Sequence, residues 1–422
     1  MVNLLGTRAL PLQSTDAVVI GAGPSGLMVS SGLAGLTPYY KGQPFFSQDI
    51  QEIYKKTVSS SQDISDVHHP SDQTPLSQIF ERLAVKDIRF WNEDSMVVRH
   101  VVLTSGDIGG CWNELNPDMK CLSRANWMAL PGLDWAAFKQ AKTPFDKRPS
   151  MGEVAEYYRE YAKTLGLSDN IHTHTVVEKI EQVDGLWQVH AREHGKEVVY
   201  ESKIVILACG KFTIPRCLGI EGEDLDFVTH RMPSEIQKST RLMVIGGGIT
   251  GADCVLMALR VGCTVYHLFR DTNGLGRFDQ RYTEYGGYAD LLDKMRKVKK
   301  DPRYKPMPGG ILTRIEEGGR STVTYEGKEK LIQVAKVYIL IGSQEDLSFL
   351  DEKYLKNIKR KTDPYTFKVG EGLYAVGSLG DVDFVKNSIA GCFAAAHEIR
   401  REIGSEQNEA DKPGLMERCI LL

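Results

Sequence analysis

Two glycine patterns, each set between an apolar run and a small-residue run, constrain this chain more than anything else in it. The first is Gly21-x-Gly23-x-x-Gly26 in "AVVIGAGPSGLMVSSGL"; the second is Gly246-x-Gly248-x-x-Gly251 in "RLMVIGGGITGADCVLMALR". In each, a β-branched strand feeds a tight turn and then a helix. The glycines let the backbone approach a pyrophosphate, whose charge then meets the amides of a helix N-terminus. One such pattern alone is weak evidence, but two in full strand–turn–helix context predict an α/β fold with two Rossmann-like dinucleotide-binding domains. The alternative at either place is an empty turn of the same shape.

Two further apolar strands end in small residues, "KIVILACGKFTIP" (203–215) and "KVYILIGSQEDLSFL" (336–350). They read as the crossings where the chain leaves one domain and re-enters it. The layout is a discontinuous first domain, 14–215 and 337–404, with a second, 235–336, inserted into it. A polar, aperiodic tail, 405–422, is expected to be flexible. A length of 422 residues accommodates this many cores.

Composition narrows the function. An apolar fraction of 42% with 25% charged residues is that of a soluble globular protein, and a net charge of −3 argues against nucleic acid as a partner. No apolar run is long enough to span a bilayer. The first residues have no long apolar segment, and Val2 excludes N-myristoylation. Eight cysteines without C-x-x-C spacing suggest a reduced, cytoplasmic protein. His172 and His174 in "NIHTHTVV" could share a strand face, but no further ligand lies at metal spacing, so no metal is expected. His68-His69 reads as loop.

The stretch "HVVLTSGDIGGCW" (100–112) looks like the second strand of a dinucleotide fold displaced downstream. Residues 37–97, polar and seeded with Tyr39, Tyr40, Phe45 and Phe46, read as an insertion after the first helix. Such a segment is either an inert elaboration or a lid or protein-partner site beside the cleft. The acid that usually grips a ribose is replaced by Leu103, with Thr104 and Ser105 as nearby hydroxyls.

"DIGGCW", "ILACGKFTIP" and "GGGITGAD" together resemble flavin-containing monooxygenases of the two-dinucleotide-domain type. More narrowly, "GGCWNELNPDMKCLSRANWMALPGLDW", "EVAEYYREYAKTLGL" and "VYILIGSQEDLSFL" are similar to the oxidative stress-induced growth inhibitors. The resemblance implies an FAD- and NADPH-dependent monooxygenase that oxygenates a soft nucleophile, a small molecule or a protein, through a flavin C4a-hydroperoxide. It also implies a role in growth and cell-division regulation.

By domain order FAD belongs to Gly21, Gly23, Pro24, Ser25 and Gly26, with Gly109, Gly110, Trp112, Ala208, Gly210 and Gly377 around it. Ser378 stands where relatives often carry the ribityl-binding acid, and Asp381 or Asp383 is expected to serve instead. NADPH belongs to Gly246, Gly248, Thr250 and Gly251, with Arg270 at the next strand's tip suited to a 2′-phosphate. Trp112, Ser123 and Asn126, with Trp127, are the candidates for the flavin pocket, each also readable as packing. In the link "RCLGIEGEDLDFVTHRMPSE" only His230 survives of the monooxygenase motif; Asp224, Asp226 and Ser234 replace the rest. That departure leaves open a peroxide-releasing NADPH oxidase and a non-catalytic nucleotide sensor. Finally, "CILL" ends the chain with a C-a-a-X match at Cys419, whose Leu422 selects geranylgeranyl. With the basic run "DKMRKVKKDPRYK" (293–305) it predicts partial attachment to a cytoplasmic membrane face.

Overall fold

The computed structural model describes residues 12–40, 43–47, 88–92, 97–238, 241–270, 286–363, 365–380, 382 and 384–410. In chain order the elements that position the site begin with β1 (Ala17–Ile20), α1 (Pro24–Leu33), β2 (His100–Leu103), α2 (Met151–Thr164) and β3 (Ile204–Leu207). There follow β4 (Arg241–Ile245), α3 (Ile249–Arg260), β5 (Thr264–Phe269), α4 (Gly286–Val298), β6 (Tyr304–Pro308), β7 (Lys336–Ile339), β8 (Leu373–Ala375) and α5 (Val385–Ala410).

These strands make two parallel sheets. The first runs Lys368–Gly370, β8, β3, β1, β2, Ile171–His172, and only its first edge pair is antiparallel. The second runs Val228–Thr229, β7, β4, β5, β6, all parallel. "AVVI", "IVIL" and "LMVI" are apolar without alternation because both faces are covered. Each sheet has helices on one side and an antiparallel three-stranded meander on the other. In the first unit α1, α2 and α5 pack opposite the meander 175–202; in the second α3 and α4 pack opposite the meander 311–333. The fold class is therefore the expected one, a second dinucleotide-binding unit set into a first that the chain completes afterwards.

Four details differ from the sequence reading. The strand beginning at Lys336, read as the return to the first domain, pairs with β4 in the second sheet (Met243 opposite Val337), so the return crossing follows it. The crossings themselves pair with each other, Ile214 opposite Gln344. Helix α5 runs on to Ala410, past the expected start of the tail, because no proline interrupts it before Pro413. And the base of the 37–97 insertion is a small sheet: Leu36–Tyr40 pairs with Ile88–Asn92 and with Gln43–Pro44. Its aromatics are anchors on α5, with Phe90 5.0 Å from Phe393 and Phe46 5.6 Å from His397, and Arg400 donates to Thr37 at 2.8 Å. The rest of the insertion, where the lid and partner readings fall, lies outside the described residues, as do Cys419, Asp381 and Asp383.

Candidate functional site

At the end of β1 the three glycines each answer a different requirement. Gly21 has φ +108°, and a Cβ there would stand 2.5 Å from the Ala208 carbonyl oxygen. A Cβ on Gly26 would stand 1.9 Å from the Gly21 carbonyl oxygen, so this glycine lets α1 close on the strand. Gly23 meets nothing within 4 Å: its backbone faces open space, as a pyrophosphate would require. The amide of Gly21 donates to Leu103 (2.8 Å), and that of Gly109 to Ala22 (2.8 Å), which binds "GDIGGCW" against the turn. A Cβ on Gly110 would lie 3.1 Å from the Gly23 Cα, and one on Gly377 2.2 Å from Ser25 Oγ. Four backbone segments thus converge at distances that exclude side chains.

They enclose a cleft of about 270 Å³, which Trp112, Ala208, Gly210 and Ser378 also line. Two helices begin at it: Pro24 opens α1, and Val385 opens α5 with Ser388 one turn on. Their free amides give it anion-binding character at two points. Val176 and Phe212, 47% and 55% exposed, form apolar walls that a flat ring would cover. Open glycine, paired helix starts and apolar walls fit FAD. The thiols of Cys111 and Cys209 line the same cleft, and burial pushes them up to about 11 and about 12, so both stay protonated.

The remaining candidates divide. Trp112 stays at the cleft, edge-on to the buried Tyr158 at 6.1 Å. Ser123 and Asn126 do not line it: the short helix Ala125–Met128 buries Ala125 and Met128, which turns Asn126 to solvent. Trp127 lies under Lys386 Nζ, 4.4 Å above its ring, and so braces the start of α5. Leu103 is 1% exposed and packs with Val18, Ile20 and Leu207, while Ser105 is exposed at the cleft edge. Ser388, Val385 and the 175–177 strand were missed in the sequence; the i, i+3 spacing of Val385 and Ser388 on a helix aimed at the turn was the available signal.

The second turn repeats the first. Gly246 has φ +133°, with its Cβ position 2.1 Å from the Leu340 carbonyl oxygen; that of Gly251 is 2.2 Å from the Gly246 carbonyl oxygen, and Gly248 is open. Thr250 is exposed at the start of α3, and Arg270 is exposed at the tip of β5. One residue has no counterpart in the first unit. His267, 1% exposed, places Nε2 2.8 Å from the Gly246 carbonyl oxygen and Nδ1 2.9 Å from the Tyr304 hydroxyl. A carbonyl can only accept, so Nε2 carries the proton and Nδ1 accepts from Tyr304. Burial lowers the ring's pKa to about 4, which keeps it neutral. The equivalent position of the first sheet holds Val102.

Between the units His230 donates to Glu223 (2.8 Å), whose carboxylate also accepts the amides of Leu218 and Gly219 at 2.7 Å and Ile220 at 3.3 Å. The surviving motif histidine is thus a clasp on the link. Cys217 brings a sulfur within 4.8 Å of these atoms, but both carboxylate oxygens are already engaged, and no ion site follows. His172 and His174 do not share a face: His172 Nδ1 meets Glu193 at 2.8 Å, and His174 sits in a turn at φ +52°. The units meet through Asn116 Nδ2, which donates to the Pro233 and Ser234 carbonyls (3.2 and 2.9 Å), and through an Arg148–Asp290 ion pair at 3.3 Å. No helix among the described residues is long and apolar enough to cross a membrane.

The profile of the family described as pyridine nucleotide-disulphide oxidoreductase matches residues 93–377. Human oxidative stress-induced growth inhibitor 1 is 29% identical, over 91% of this chain and 95% of its own length; human growth inhibitor 2 is 27% identical over 87% and 90%. Among solved structures, a bacillithiol disulfide reductase from Bacillus cereus superposes with a TM-score of 0.66 over 92% of this chain and 100% of its own, at 16% identity. A flavin-containing monooxygenase from Stenotrophomonas maltophilia gives 0.55 over 94% and 99%, also at 16%. The chain belongs to the pyridine nucleotide-disulphide oxidoreductase family and, within it, to the oxidative stress-induced growth inhibitors.

Proposed function

We propose that this flavoprotein oxidoreductase is an FAD- and NADPH-dependent monooxygenase acting on a soft nucleophile such as an amine or thioether. FAD in the first cleft would accept hydride from NADPH and make O₂ reactive. The protein's part is position and dryness. The amides around Gly21–Gly26 and at the start of α5 hold phosphate charge, and Val176 and Phe212 cover flat rings. Trp112, Phe384 and Val385 add apolar lining that would limit water. The observation that favours oxygenation over disulfide reduction is the cysteine arrangement: Cys111 and Cys209 reach the cleft from separate segments and form no C-x-x-C pair. Thiol exchange needs a thiolate, and burial holds both protonated at neutral pH.

A second reading, an NADPH oxidase that releases peroxide, is favoured by Glu114 and Asp346 on the cleft wall, which invite water. The test is a spectrum followed by a stoichiometry. Purified protein should be yellow, with flavin bands near ~370 and ~450 nm. A folded, colourless protein that takes up no added FAD would remove both readings and leave the nucleotide sensor. Peroxide equal to NADPH consumed with every nucleophile tried would select the oxidase.

We also propose geranylgeranylation at Cys419. In the basic run Lys294, Lys297 and Arg303 pair with Asp290, Asp293 and Asp301 at 2.6, 2.6 and 2.7 Å. That leaves Arg296, Lys299, Lys300 and Lys305 to meet an anionic leaflet, about 1 kcal/mol each.

A further inference from the structure

A second cavity, about 530 Å³, opens at the seam between the units and shares no lining residue with the flavin cleft. One wall is a stripe of α3: Asp253, Leu256, Met257 and Arg260, which the helical repeat sets on one face. Asp253 and Arg260 stand two turns apart, about 10 Å, with the apolar pair between them. The first unit contributes Asn116, Lys120 and Arg148 to the lining.

Three of the eight charged side chains of the lining are matched with one another. Arg148 and Lys294 both pair with Asp290, at 3.3 and 2.6 Å. Asp253 and Arg260 make no hydrogen bond or ion pair with any of the described residues. Burial holds the Asp253 carboxyl up to about 6, although Arg148, Lys294 and Arg260 all pull it down. A half-buried carboxylate without a donor is costly unless something supplies one. Around the cavity Lys120, Arg148, Arg260 and Lys294 balance Asp118, Glu235, Asp253 and Asp290, so a singly charged ligand would unbalance it and a zwitterion would not.

We propose that this cavity binds an extended zwitterion: an ammonium on Asp253, an apolar chain over Leu256 and Met257, and a carboxylate on Arg260. Its walls belong to both units, so occupancy ties the seam. The inference does not rest on the redox reading, because no step of it involves either nucleotide.

The test is calorimetric titration of the purified full chain with 8-aminooctanoate, whose two charges span a similar length. The comparison ligands are 1,8-diaminooctane and octanedioate. The amino acid should bind at least tenfold tighter than either, and Asp253→Asn and Arg260→Gln should each weaken it tenfold or more. Arg260 is exposed, so its variant keeps the fold and stands as the arbiter if Asp253→Asn unfolds. Equal affinity for the three probes, absence of binding, or indifference to Arg260→Gln would overturn the proposal.

Discussion

Replacing His267 with Phe tests the second turn most directly. The ring donates to the Gly246 carbonyl at 2.8 Å and accepts from Tyr304 at 2.9 Å, both in the interior. Phe fills the space but orphans a carbonyl and a hydroxyl, each worth about 1–3 kcal/mol, so the variant should lose roughly 2–6 kcal/mol at pH 7.5. Adding Tyr304→Phe removes one orphan, and the double variant should recover part of that loss. The pH dependence is a separate signature. The folded ring titrates at about 4 and the unfolded one near 6.5. Between these values the unfolded state binds a proton that the folded state refuses. Stability is therefore full above about pH 7 and falls as pH drops from 6.5 towards 4, by roughly 3 kcal/mol in all. The assay is urea unfolding followed by circular dichroism, from pH 7.5 to 4.5, on wild type and His267→Phe. Other groups titrate alike in both, and Phe does not titrate, so the gap between the curves should narrow as pH falls. NADP⁺ should also bind the variant more weakly, since the turn that presents the amides is no longer pinned. A gap independent of pH would refute the assigned protonation state, and an unaltered NADP⁺ affinity would refute the positioning role.

Two glycine substitutions separate folding from binding: Gly26→Ala drives a Cβ to 1.9 Å from a carbonyl oxygen and should unfold the first turn, whereas Gly23→Ala meets nothing within 4 Å. The latter should leave the apo-protein's melting temperature unchanged and lower FAD affinity tenfold or more; unchanged FAD binding would show that the cleft holds no pyrophosphate at Gly23. NADPH should bleach the flavin faster than NADH, and Arg270→Ala should narrow that preference through the NADPH dissociation constant; equal rates in the wild type would remove Arg270 from the site. Cys419→Ser should move protein from the membrane fraction to the cytosol with flavin content intact, and a native C-terminal peptide found unmodified by mass spectrometry would end the lipidation proposal.

The architecture of two dinucleotide-binding sheets was legible because its determinants are local. A strand, a glycine turn and a helix occupy adjacent residues, and the central glycine of each turn has an open approach, as the spacing required. The displaced strand was legible too, since "HVVL" pairs with "AVVI" residue for residue despite the insertion. What sequence could not show depends on where helices point and which faces they bury. Asn126 looked like a pocket residue by proximity to Trp112, yet it lies on a four-residue helix whose inward positions are Ala125 and Met128. Phe46 read only as part of an insertion of open role, and it lies, with Phe90, against His397 and Phe393 of α5, which come from the far end of the chain. His267 carried no motif; a histidine in a buried strand announces itself only when Tyr304 and the Gly246 carbonyl arrive from elsewhere in the chain.

The register of the two sheets also reinterprets the missing acid. Ile20 pairs with Leu103 as Ile245 pairs with Leu268, and the first glycine amide of each turn donates to the carbonyl of that leucine. Leu103 and Leu268 are thus equivalent, both buried in a core, 1% and 0% exposed. Counted from them, Arg270 corresponds to Ser105, two residues further on and exposed at the cleft edge. In the second unit that position carries the side chain assigned to the adenosine ribose end of the nucleotide. In the first it offers a hydroxyl, which can still donate to or accept from a ribose oxygen. The difference between a carboxylate and a hydroxyl acceptor is about 1 kcal/mol. That is less than a tenfold change in affinity, small beside the anion-binding contribution of two helix starts and a side-chain-free turn. Leucine at 103 therefore moves hydrogen bonding two residues along the strand and does not close the cleft to a dinucleotide.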